Sequence, residues 1–140
     1  MQDNLILRVI AKALIPIIFL YAFYVQFHGD FSPGGGFQAG VIFSTAILLY
    51  ALVFGMDKAA DVLTDKMLIG LASGGVLLYG GVGVASMLLG GNYLDYNVLA
   101  DNPVTGQHIG IILIELGVGM TVASTMLLIF FSFARRMVFR

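Results

Sequence analysis

Of 140 residues, 59% are hydrophobic and only 11% charged, against roughly 25% charged in a soluble domain. Together with a mean hydropathy of +0.97, this excludes a polar surface around one core, so part of the solvent must be lipid. A formal net charge of −1 excludes a basic nucleic-acid-binding face, and the absence of cysteine excludes disulfides and Cys-ligated zinc or iron–sulfur clusters.

Four apolar runs follow one another, at 5–27, 37–55, 67–90 and 109–133. A helix rises about 1.5 Å per residue and the hydrocarbon core is about 30 Å thick, so about 20 residues cross it. The expected fold class is therefore all-α and integral to the membrane, one domain over 1–140 with four transmembrane helices. Too little chain remains to cover four such helices in water.

The first run is too long for a signal peptide, contains Pro16 and has no Ala-x-Ala site after Tyr24, so it is expected to be retained. Pro16 lacks an amide donor and clashes with the preceding turn, which predicts a kink or an end to the first turns. Tyr21, Tyr24 and Phe27 read as an aromatic belt. Lys12 lies roughly 10 Å into this run, where its stem can snorkel to the interface or its charge can serve an ion pathway.

The first connection, 28–37, reads His-Gly-Asp-Phe-Ser-Pro-Gly-Gly-Gly-Phe. Pro33, Gly34, Gly35 and Gly36 form a turn in which glycine permits positive φ and close backbone approach. It lacks the Gly-Lys-Ser/Thr of a nucleotide loop. One reading is a tight interhelical turn; the other packs the turn on a partner and sets His28 and Asp30 near an ion entrance. The second connection, 91–108, carries Tyr93, Tyr96 and Asn102-Pro103 and is expected to lie along the interface as a short cap.

All seven basic residues fall on one side of the runs: Arg8, Lys12, Lys58, Lys66, Arg135, Arg136 and Arg140. Asp30, Asp95 and Asp101 lie on the other. The positive-inside rule predicts both termini in the cytoplasm, as expected of a multi-pass protein of the cell (inner) membrane.

Small residues recur on stripes. Gly36, Gly40 and Ser44 repeat every four residues in the second run; Gly70, Gly74, Gly81 and Ala85 share one face of the third; Gly110, Gly117 and Ser124 repeat every seven in the fourth. Such stripes let membrane helices approach closely, and some are expected to face other subunits. Gln38, Ser44 and Thr45 are expected to hydrogen-bond mostly across helices.

Glu115 is the one acidic residue well inside a run, at a cost of about 2.5–3.5 kcal/mol if ionised at the centre of a membrane helix. His108, one heptad earlier, shares its face, opposite the Gly110/Gly117/Ser124 stripe. Two roles remain open: a protonated carboxyl hydrogen-bonded to a neighbouring helix, or an ion or proton relay. No nucleophile–base set or paired carboxylates within one span point to an enzyme, and neither a metal site nor any other cofactor is expected.

The 28–40 stretch, which continues Gln-Ala-Gly after Phe37, the Gly-Gln-His-Ile-Gly of 106–110 and the Ile-Glu-Leu-Gly-Val-Gly of 114–119 together resemble the B subunit of Mrp-type multisubunit Na+/H+ (cation/proton) antiporters. The resemblance covers essentially the whole chain. It implies a supporting membrane subunit within a larger complex, with the large subunits translocating protons and the small ones forming a module that handles sodium. The expected partners are those other subunits, the bilayer, and Na+ and H+ as transported ions. The resemblance extends to B-like subunits of redox-coupled complexes such as membrane-bound hydrogenases. A stand-alone channel or homo-oligomeric carrier is the third reading.

Overall fold

The computed structural model describes residues 4–29 and 34–138. Its helices, in order, are α1 (Leu5–His28), α2 (Gly36–Phe54), the short α3 (Met56–Val62), α4 (Asp65–Leu88) and α5 (Pro103–Val138), with a 3₁₀ turn at Tyr96–Leu99 before α5. Helices α1, α2, α4 and α5 are each long and apolar enough to cross a membrane.

Local chemistry sets most of the boundaries. The Asn4 side chain accepts from the Leu7 amide at 3.3 Å and starts α1; Thr64 does the same for Met67 at 3.3 Å and starts α4. These contacts satisfy amides that have no partner within the helix. Asn102 caps the Val104 amide at 2.9 Å, and Pro103 takes the first helical position, where a missing N–H costs nothing. Helix α2 differs. Its N-cap is Gly35, with φ 106° and no side chain to offer its first amides.

Two expectations change here, and one of the two alternatives for Pro16 falls. Pro16 does not end the first turns of α1, which runs unbroken from Leu5 to His28; neighbouring residues keep the helix going past one lost bond. Helix α5 begins at Pro103, well before the apolar run, because the Asn-Pro cap and not hydropathy fixes its start. Ser44 and Thr45 bond within their own helix instead of across helices among the described residues. Both hydroxyls donate to the Val41 carbonyl of their own helix, at 2.7 and 2.9 Å.

The packing order is α1 on α2, α2 on α5, and α5 on α4, so α5 is the spine of the molecule. Small residues make the seams. A side chain at Gly40 would strike the Gly119 carbonyl at 2.7 Å, and one at Gly75 the Gly117 carbonyl at 2.5 Å. Thr121 crosses the second seam, with its hydroxyl 2.8 Å from the Gly117 carbonyl and 3.4 Å from that of Ala72. Many large apolar side chains also point outward, Leu77 being 74% and Leu88 82% exposed, as a lipid solvent allows.

One end of the bundle is charged. Arg135 makes a two-pronged pair with Asp65 at 2.5 and 3.0 Å, tying the end of α5 to the start of α4. Arg8 lies 5.6 Å from the centre of the Phe54 ring, tying the start of α1 to the end of α2. Beside them Ala51, Ala59, Leu68, Leu127 and Phe131 close a buried cluster.

Candidate functional site

The other end of α2 holds the least ordinary chemistry in the chain. Its first amides are unpaired within the helix, as at any helix start, and point outward with the positive end of the helix dipole. Gly35 supplies no side-chain cap, and its amide donates instead to the Val25 carbonyl of α1 at 3.2 Å. That bond folds the start of α2 back onto the end of α1.

The carboxyl group of Glu115, reaching from α5, occupies the space between these two ends. A Cβ on Gly29 would lie 2.6 Å from its Oε2 and 2.7 Å from its Cδ; a Cβ on Gly35 would lie 2.8 Å from Oε1. At Gly36 the obstacle is backbone, with the Glu115 carbonyl in contact and its Cα at 3.0 Å. Three glycines therefore make a notch, and Glu115 fills it. The glycine-rich connection and the acid of α5, eighty residues apart, form one site.

Depth also reads differently in three dimensions. From Arg135 to Glu115, and from Arg8 to His28, the rise is about 30 Å, one hydrocarbon thickness. Glu115 thus stands level with the ends of α1 and α2, not deep in the bundle. Helix α5 continues about 18 Å past it to Pro103. The carboxyl is half-buried, at the rim of the short half of the molecule and roughly 9 Å below the start of the apolar run in the long half.

The remaining candidates separate. His28 directly precedes Gly29 and stacks on Tyr24, ring centres 4.6 Å apart, so it belongs to the rim of the notch. His108 is exposed and sits about 10 Å outward of Glu115 along α5. Lys12 is exposed on α1, about 24 Å along the helix from His28, and shares no site with Glu115. Asp30 and Pro33 lie outside the described residues. Gly34 borders the notch, where a Cβ would meet the Val25 carbonyl at 3.1 Å.

The glycine stripes also divide. Gly36 and Gly40 face α5, Gly117 faces α4, and Gly110 faces the Tyr96 ring. Around Gly70 and Gly81 there is nothing within 4 Å, and at Gly74 only the tip of Met120, 3.9 Å away. The glycines of α4 pressed against the chain itself are Gly75, against α5, and Gly83, against Tyr93. Sequence inspection missed both, because every face of α4 is apolar and periodicity cannot rank them. It also missed Gly29, whose signal was its place beside His28 at the end of an apolar run.

Outside the notch, Tyr96 is pushed above the usual phenol range, chiefly by burial and then by Tyr79 and Tyr93 nearby. It therefore stays a neutral plug over Gly106 and Gly110. Inward of Glu115, Gln26 lies over Gly119, with 2.5 Å between its Oε1 and a Cβ placed there. Beyond that opens an apolar groove of about 260 Å³, lined by Phe23, Phe43, Leu71, Met120 and Leu127 among others. Among the described residues no group of three His, Cys, Asp or Glu side chains could hold a metal ion.

Four helices long and apolar enough to cross a membrane, gathered around one placed carboxyl, are those of an integral membrane protein. The family model described as "Domain related to MnhB subunit of Na+/H+ antiporter" matches residues 6–128, and the chain belongs to that family. "Putative antiporter subunit mnhB2" of Staphylococcus aureus strain Newman is 31% identical over 134 residues, which is 94% of each chain. The proteins of the same name from strains COL and NCTC 8325 match equally well. The resemblance drawn from the 28–40, 106–110 and 114–119 segments is thus borne out.

Proposed function

We propose that this chain is a membrane subunit of a multisubunit Na+/H+ antiporter, with both termini in the cytoplasm, and that Glu115 lines a cation pathway at the external rim of the complex. The observation that carries the reading is the notch. A carboxyl group is held at the start of a helix that has no cap of its own, level with the outer ends of α1 and α2. A purely packing role would be met by any apolar side chain there, without the desolvation that a carboxyl suffers.

The pathway is not contained in this chain. Inward of Glu115 the lining of the groove is almost entirely apolar, and dehydrated sodium needs oxygen ligands. Neighbouring subunits must complete the route. The seams used internally leave Gly70, Gly74 and Gly81 open, which supports that face of α4 as one place where such a neighbour packs closely.

The test is complementation. An antiporter-deficient strain carrying the whole operon with Glu115→Gln should fail to grow in high sodium, while membranes show the complex assembled. Full sodium tolerance from the assembled Glu115→Gln complex would put the residue in the packing class.

A further inference from the structure

Gly29 differs from the other two glycines of the notch. Gly35 is held at φ 106°, which a side chain strongly disfavours, and Gly36 abuts backbone of α5 that cannot yield. Gly29 has ordinary right-handed helical angles, φ −60° and ψ −28°, which any residue adopts at no cost. The backbone therefore gives no reason for glycine at 29. The space does: the three nearest atoms a Cβ would meet there are in the carboxyl group of Glu115, the far end of a flexible side chain and not backbone.

We propose that Gly29 is a positioning residue for Glu115: its missing side chain sets where the carboxyl group rests at the junction of α1 and α2. An alanine there is a wedge that bears first on the carboxyl group of Glu115. The inference rests on the pathway reading of Glu115 above. It adds that the position of the carboxyl, and not only its charge, is needed, and that the end of α1 controls that position. Misplacing a reacting or binding group by about 1 Å can cost up to about a hundredfold, so a shift of this size is measurable.

The test uses the whole antiporter complex in everted vesicles, with sodium-driven exchange followed across sodium concentration. Gly29→Ala should assemble normally and raise the half-saturating sodium concentration about ten-fold, with the maximal rate changed less. The rescue is geometric. Glu115→Asp draws the carboxyl back by about one C–C bond, 1.5 Å, and alone should also weaken sodium dependence. Combined with Gly29→Ala it makes room for the new methyl group, so the double variant should recover most of the affinity that Gly29→Ala loses. If Gly29→Ala proves to disturb assembly, the same double variant should restore it.

An unchanged sodium dependence in assembled Gly29→Ala, with Glu115→Gln inactive, would overturn the positioning role and leave the pathway reading intact. A Gly29→Ala defect of either kind that Glu115→Asp does not relieve would also overturn it. Normal exchange in Glu115→Gln would instead remove the pathway reading on which the inference stands.

Discussion

At Gly35 the backbone alone decides what can be tolerated. Its φ of 106° lies where a β-branched residue is a genuine outlier, and a Cβ there would also meet Glu115 Oε1 at 2.8 Å. Gly35→Val should therefore abolish sodium-dependent exchange and lower the yield of assembled complex, whereas Gly34→Ala, with its nearest neighbour at 3.1 Å, should cost much less. Wild-type exchange in Gly35→Val would show the turn to be tolerant. Both halves of the notch stood out in the sequence, one as Pro-Gly-Gly-Gly and the other as a lone acid in an apolar run. Their meeting did not. Composition marks each residue as unusual for its own setting, but nothing within either segment encodes a contact across eighty positions. One clue to a shared depth was available: Gly36 directly precedes its run and Glu115 lies near the start of its own.

Among the helices, the two faces of α4 make the clearest contrast. Gly75 is pressed against Thr121 and the Gly117 carbonyl, while Gly81 faces open space. Gly75→Val should destabilise the chain itself, lowering its yield and melting temperature in detergent, because a Cβ cannot enter a seam whose backbones already touch. Gly81→Leu should leave the isolated chain unchanged and yet reduce the intact complex on native gels. Equal behaviour of the two variants would refute this division of faces. Helix existence was legible from run length, and the Asn102-Pro103 cap would have placed the start of α5 had it been weighed above hydropathy. The short α3 carries no apolar run long enough to announce it. Which glycine faces which neighbour was illegible for a physical reason. With lipid outside and helices inside, both sides of α4 are apolar, and the amphipathic signal that orients a soluble helix is missing.

For the molecule as a whole, charge asymmetry and shape point the same way. The described ion pair and cation–ring contact gather at one end, and Asp95 and Asp101 lie toward the other. With no native cysteine to mask, Asp101→Cys should react with an impermeant maleimide only from outside the cell, and Asp61→Cys only from inside. Reaction of Asp61→Cys from outside would reverse the orientation proposed here. Membership of the MnhB family marks the chain as an antiporter subunit, and the proposal above sets neighbouring subunits against the open face of α4.

The central claim, that Glu115 serves cation exchange and not packing, is tested most directly by sodium-dependent dissipation of a pH gradient in everted vesicles. The wild-type, Glu115→Gln and His108→Ala complexes should be compared at matched assembly. Gln keeps the shape and hydrogen bonding of a neutral carboxyl while removing any chance of negative charge, so Glu115→Gln should lose most of the exchange. His108→Ala, about 10 Å outward on α5, should lose less. An assembled Glu115→Gln complex with the wild-type rate and sodium dependence would contradict the claim.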